Sequence, residues 1–189
     1  MDIVCTDLCK AYGDHIVLRD FNLRVIEGEI VSVMAPSGAG KTTLLRILLG
    51  LTPQDSGRVE GLTGRRLSAV FQEDRLLPWG SALGNLRFAH PGLTPEEGLR
   101  VLDALDIGEA ADQKVTELSG GMARRVALAR ALLGDWDVLL MDEPFRGLDE
   151  DAKRRAMDAV LSARRGRTVL FVTHDIREAE AMRARIVQL

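Results

Sequence analysis

Cysteine is nearly absent from this chain of 189 residues: Cys5 and Cys9 are the only two. Four apart on a strand they would face the same side. Two thiols alone make a poor metal site, and a reduced pair is the expected state. Lysine is scarce too, confined to Lys10, Lys41, Lys114 and Lys153 in a chain whose basic charge is carried by arginine. No apolar run approaches the ~18 residues that a membrane span needs; Leu44–Leu51 is short and contains Arg46. Basic excess is missing as well. A net charge of −3 gives no general attraction to nucleic acid or anionic lipid, so no nucleic-acid partner is expected. The start, Met1-Asp-Ile-Val, has neither the basic end nor the apolar centre of a signal peptide, which makes the cytoplasm the expected location. There is no internal repeat and no low-complexity tract.

What remains is a composition of 46% hydrophobic and 28% charged residues, that of a soluble globular protein, and the length fits one domain or one core with a subdomain. Asp2–Cys5, His15–Leu18 and Phe21–Ile26 read as strands, the first two separated by the turn-like Tyr12-Gly-Asp. Leu67–Gln72 reads as another. Asp137–Met141 and Thr168–Val172 are continuous apolar runs of strand length, which suits strands buried on both faces of a parallel sheet. Helical spacing covers Glu96–Leu105, Arg124–Leu133 and the charged segment Asp149–Arg164. Pro78, Gly80, Gly84, Pro91, Gly92 and Pro95 punctuate the middle, where only short helices fit. Strands alternating with helices predict an α/β layered fold.

The chemistry concentrates in Ala35, Pro36, Ser37, Gly38, Ala39, Gly40, Lys41, Thr42 and Thr43. This stretch follows the apolar run Glu29–Met34 and opens the helical run Leu44–Leu49. Strand, small-residue loop with Gly-Lys-Thr, then helix is the context of a phosphate-binding loop. Backbone N–H groups turn inward around phosphate oxygens, and the helix aims its positive end at the same anion. Lys41 supplies a mobile charge for the β- and γ-phosphates, and Thr42 a hydroxyl for Mg²⁺. The strict pattern begins with Gly, where this chain has Ala35; the loop closes if that position takes a negative φ.

Asp142 and Glu143 close the strand Val138–Met141. A carboxylate at such a strand end can reach the Mg²⁺ that Thr42 touches, and the next one out could polarise an attacking water. Leu118-Ser-Gly-Gly-Met122 is a second small-residue loop before a helix expected at Ala123–Leu133, and so a second candidate anion site. One nucleotide does not need both loops of one subunit, but two chains facing head-to-tail could use them.

With these motifs the chain resembles the ATP-binding subunit of ATP-binding-cassette (ABC) transporters along nearly its whole length. The resemblance implies a P-loop NTPase fold: a RecA-like parallel sheet core with antiparallel N-terminal strands and a small helical subdomain. It places the core at residues 1–78 and 134–189 and the helical part at 79–133 of one ABC ATPase domain. Lys41 and Thr42 match the family's phosphate loop, Asp142 its magnesium-site aspartate and Glu143 its catalytic glutamate. Ser119, Gly120 and Gly121 match the signature loop that contacts the partner subunit's ATP. Gln72 matches the glutamine that senses Mg²⁺ and the attacking water, and His174 the switch histidine near the γ-phosphate. Asp149 matches the aspartate of a loop crossing the dimer interface, and Tyr12 the aromatic that stacks on adenine.

ATP and Mg²⁺ are the implied cofactors. The implied assembly is an ATP-dependent homodimer on separate integral-membrane permease subunits, at the inner face of the cell membrane. Val70–Trp79 resembles importers of the nitrate, sulfonate and taurine type, which adds an indirect partner, an extracytoplasmic substrate-binding protein. Leu76, Leu77 and Trp79 put apolar bulk where such members receive the membrane subunit. The loop before Asp149 departs from the commoner Ser-Ala-Leu-Asp, reading Arg146-Gly-Leu, and Met122 stands where Gln is commoner. The chain's end at Leu189 and its short stretch from Gly57 to Gln72 suggest a near-minimal cassette. Alternatives are an ABC machine without a transport role, or an ATP-binding interaction module without turnover; Glu143, His174 and Gln72 argue against the second.

Overall fold

A computed structural model of the chain describes residues 1–36 and 38–189. They form two compact units, one of residues 1–69, 136–143 and 166–189, the other of residues 70–135 and 144–165.

The first unit holds two sheets. β1 (Ile3–Tyr12), β2 (His15–Val25) and β4 (Ser56–Glu60) make an antiparallel sheet in the order β2-β1-β4. The expected turn at Tyr12-Gly-Asp is the tip of the β1–β2 hairpin, where Tyr12 pairs with His15 and Gly13 has a φ of 59°. The two strands expected between His15 and Ile26 are one continuous strand, irregular at Asp20, whose φ is 46°.

The second sheet has the order β5-β6-β7-β3-β8, from β3 (Ile30–Met34), β5 (Leu67–Val70), β6 (Val138–Asp142), β7 (Thr168–Thr173) and β8 (Arg185–Gln188). The pairs β3/β7, β6/β7 and β3/β8 are parallel. Every residue of β6 and β7 is buried, as their unbroken apolar runs predict for central strands. Both sheets and α1 (Lys41–Leu48) share one apolar cluster that includes Ile3, Leu8, Leu23, Val33, Leu44, Leu140 and Val172. Each such side chain contributes about 1.5–3 kcal/mol on burial. α6 (Ile176–Ala181) follows β7 and packs on β3 and β7.

Cys5 and Cys9 do not share a side of β1. Asp7 takes a left-handed φ of 49° and the β1–β2 register shifts between Cys5 and Leu8. This bulge advances the alternation by one residue. Cys5 therefore lies in the core, whereas the Cys9 thiol reaches the Asp20 carboxylate at 3.3 Å.

The second unit is helical: α2 (Ala82–Ala89), α3 (Pro95–Ala104), α4 (Gly120–Leu132) and α5 (Glu150–Arg164). Each begins at a side-chain cap that satisfies an otherwise unpaired N–H: Ser81, Thr94 with Glu97 in a capping box, Ser119 and Asp149. α4 packs against α2, α3 and α5. It starts four residues before Arg124, where the helical spacing begins, because Ser119 caps it and both glycines enter its first turn.

Candidate active site

In the first unit β3, β6 and β7 run parallel, so their C-terminal ends carry the phosphate loop, Asp142-Glu143 and His174 on one side of the sheet. The C-terminal edge of a parallel sheet is where α/β folds bind ligands.

The loop leaves β3 at Ala35, which is buried and is not among the residues of positive φ. Its Cβ is thus compatible with the backbone that Ala35 adopts. Gly38 and Gly40 are left-handed, with φ of 82° and 95°. A Cβ on Gly40 would lie 2.7 Å from both the Val17 carbonyl oxygen and Val17 Cγ1, so only glycine fits at this N-cap of α1. Ala39 donates its N–H to the Pro36 carbonyl at 3.3 Å, tightening the loop. Ser37, expected in the phosphate cradle, lies outside the described residues.

Lys41, only 7% exposed, turns its ammonium back into this loop and donates to the carbonyls of Ala35 (2.6 Å) and Pro36 (3.1 Å). Glu143 Oε1 is 3.7 Å from the same nitrogen. Thr42 and Thr43 occupy the first turn of α1, and both are half-buried.

Asp142 is the last residue of β6 and is buried. Glu143, directly after it, takes a left-handed φ of 48°, while its N–H donates to the Val172 carbonyl at 3.0 Å. A non-glycine residue held there stores on the order of 1–3 kcal/mol of strain, which persists when surrounding contacts over-determine it. The Glu143 carboxylate faces His174, whose Nδ1 lies 3.0 Å from both carboxylate oxygens. His174 itself is 61% exposed, standing at the rim. Behind it, Thr173 Oγ1 donates to buried Glu178 at 2.6 Å and accepts from the Asp175 N–H at 3.1 Å. This fixes the backbone on both sides of the histidine.

Tyr12, at the hairpin tip, is 49% exposed, with the Lys10 ammonium 5.5 Å from its ring centroid.

The remaining expected site residues belong to the second unit. Ser119 caps α4 by accepting the Met122 N–H at 3.2 Å, and Ser119 and Gly120 are exposed. Neither positive φ nor crowding demands glycine at 120, where an added Cβ would meet nothing. A requirement for glycine there would have to come from something approaching from outside. Asp149 caps α5 through the Ala152 N–H at 2.9 Å, and that bond holds its carboxyl below the ordinary value. Gln72 is exposed beyond the end of β5, which stops at Val70 and not at Gln72 as expected. The carbonyls of Phe71 and Gln72 are taken by Arg124, a buried α4 residue that sequence patterning did not single out. Trp79 is 74% exposed and Phe88 72%, so Trp79 is not a core residue.

A strand–loop–helix phosphate cradle with a lysine, beside an acidic pair at the end of another parallel strand of the same sheet, defines the P-loop nucleoside triphosphatases. Residues 18–146 match the family described as ABC transporter. The chain is 47% identical over 188 residues to the aliphatic sulfonates import ATP-binding protein SsuB 1 of Rhodococcus jostii strain RHA1, covering 94% of this chain and 75% of that one. To SsuB 2 of Burkholderia cenocepacia strain HI2424 it is 42% identical over 191 residues, covering 95% and 70%. Among solved structures, the dimeric structure of MJ0796, a bacterial ABC transporter cassette, matches with a TM-score of 0.87 at 32% identity, over 99% of this chain and 94% of that one. The chain belongs to the ABC transporter family.

Proposed function

We propose that this chain binds and hydrolyses ATP as the ATP-binding subunit of an importer, docked at the inner face of the cell membrane on separate permease subunits. The observation that carries this is the convergence of Lys41, Glu143 and His174 at adjoining ends of parallel strands. The relatives named for aliphatic sulfonate import support sulfonates as the first cargo to test, and an extracytoplasmic binding protein is the proposed source of cargo. No helix among the described residues is long and apolar enough to cross a membrane, which accords with translocation through other subunits.

The loop's left-handed glycines and buried lysine form a cradle for a triphosphate, and the hydroxyl of Thr42 with the carboxylate of Asp142 are hard oxygen donors that suit Mg²⁺. Gln72 is proposed as a further oxygen donor. The ion, when bound, supplies charge neutralisation to the phosphates. Lys41 exchanges its bonds to Ala35 and Pro36 for β- and γ-phosphate oxygens. Glu143 accepts a hydrogen bond from the attacking water. The water oxygen bonds to the γ-phosphorus as the bond to the β–γ bridging oxygen breaks, leaving ADP and phosphate. His174 holds the Glu143 carboxylate and faces the γ-phosphate, and Gln72 orients the water. Tyr12 stacks on adenine from the hairpin tip.

Two copies close head-to-tail, so that each ATP lies between Lys41 of one and Ser119, Gly120 and Gly121 of the other, with Asp149 at the interface. The openness around Gly120 and the dimeric neighbour support this arrangement. Exposed Trp79, close in sequence to Gln72, supports a docking place for the permease. Light scattering on Glu143→Gln tests the assembly: ATP is expected to double the mass, and Ser119→Arg to prevent it. An unchanged monomer with ATP, or an equally good Ser119→Arg dimer, contradicts the trans role of this loop.

A further inference from the structure

The second unit contains a buried cation that the mechanism above does not use. Arg124, 4% exposed on the second turn of α4, donates from Nη1 to the Phe71 carbonyl at 2.6 Å and pairs with Asp74 Oδ1 at 2.9 Å. The Gln72 carbonyl lies 3.4 Å from the same nitrogen, and Nε donates to the Pro144 carbonyl at 3.1 Å. A guanidinium presents its donors in a planar fork, so contacts to several segments at once fix their mutual geometry. Further along α4, Arg130 donates to the carbonyls of Asp74 (2.8 Å) and Arg75 (2.7 Å). Arg75, left-handed with a φ of 48°, stacks its guanidinium on the Phe71 ring at 3.8 Å. The strand therefore ends at Val70 because the next carbonyls bond to α4 and not to a ladder.

These contacts have a common placement. The chain enters the second unit at Val70 and again at Pro144. Arg124 grips the carbonyls of Phe71 and Pro144, each within a residue of one of those points. Gln72 follows Phe71, and Pro144 follows Glu143. Both neighbours are groups assigned to the γ-phosphate, and α4 begins at the Ser119 loop.

We infer that Arg124 is a positioning residue for ATP hydrolysis that acts through Gln72, holding the Gln72 segment against Pro144 and the helix that carries Ser119-Gly-Gly. The inference rests on the reading of Gln72 and Glu143 given above. It predicts a loss in kcat and not in nucleotide binding, because a misplaced group near the reacting atoms lowers the rate by orders of magnitude per ångström while Lys41 and its loop are untouched.

The test is steady-state hydrolysis of Mg-ATP by the full chain in a double-mutant cycle of Arg124→Gln and Gln72→Ala, with thermal unfolding to verify the fold of each variant. Arg124→Gln is expected to lower kcat about tenfold with KM for ATP within about twofold of the parent. In the Gln72→Ala background the same substitution is expected to lower kcat by less than about twofold, since its route is already lost. A folded Arg124→Gln with unchanged kcat, or an equal loss in both backgrounds, overturns the inference. If Gln72→Ala alone leaves kcat unchanged, the reading of Gln72 fails and the inference fails with it. If Gln72→Ala lowers kcat and Arg124→Gln does not, the inference alone fails. Should Arg124→Gln not fold, Asp74→Asn keeps the guanidinium and removes its charged acceptor. It is expected to lower kcat about threefold with the same non-additivity, and an unchanged kcat there is equally fatal.

Discussion

The imidazole of His174 faces the carboxylate of Glu143 with Nδ1 3.0 Å from both oxygens. The pair sits on the ends of adjacent parallel strands, and the left-handed backbone of Glu143 is what aims its side chain there. One group can thus orient the other, and Glu143 Oε1 lies 3.7 Å from the Lys41 ammonium.

From this pairing we expect His174→Ala to lower the saturated rate of ATP hydrolysis by about 10²-fold, the scale of losing one preorganised partner of the developing charge. ATP affinity should change by less than about threefold, since Lys41 and the loop amides remain. Single-turnover hydrolysis with filter-binding measurement of the dissociation constant separates the two. A large loss of affinity with normal turnover would place His174 in binding instead.

Tyr12→Ala is expected to raise the ATP dissociation constant several-fold, corresponding to about 1 kcal/mol for a lost aromatic stack. The half-exposed ring has room for a base, and the saturated rate should be nearly unchanged. GTP binding in the same assay should weaken in parallel, because stacking is indifferent to the base's polar edge. A fall in the rate with affinity intact would contradict the assignment.

The two thiols should differ sharply. Burial pushes Cys5 up to about 12, disfavouring the thiolate that reacts, whereas Cys9 is partly accessible beside Asp20. A thiol reagent at pH 8 should label one thiol per folded chain, mapping to Cys9, and both in denaturant. Raising the pH to 10 should still leave Cys5 unlabelled, because its folded-state value lies above that range. Rapid labelling of Cys5 in the folded chain would contradict its place in the core.

Much of this architecture was legible before any coordinates. The unbroken apolar runs of β6 and β7, the small-residue loop ahead of Lys41 and the acidic pair after Met141 each have a local physical signature. What escaped is non-local. The bulge at Asp7, which separates Cys5 from Cys9, depends on the register with β2. β4 and β8 are short strands without apolar alternation and exist through their partners β1 and β3. Arg124 looks like one more arginine in an arginine-rich chain until the carbonyls of Phe71 and Pro144 are seen converging on it. Residues 144–165 group with the helical unit although they lie between two core strands in sequence.

The most direct test of the account is phosphate release from Mg-ATP by the parent chain and by Glu143→Gln, each with its ATP affinity measured alongside. The amide keeps the shape of the side chain and loses the charged acceptor for the water. The account predicts hydrolysis by the parent, a fall of about 10²–10⁴-fold in the variant, and ATP binding retained. Equal rates in the two proteins, or a parent that binds ATP without releasing phosphate, would contradict it.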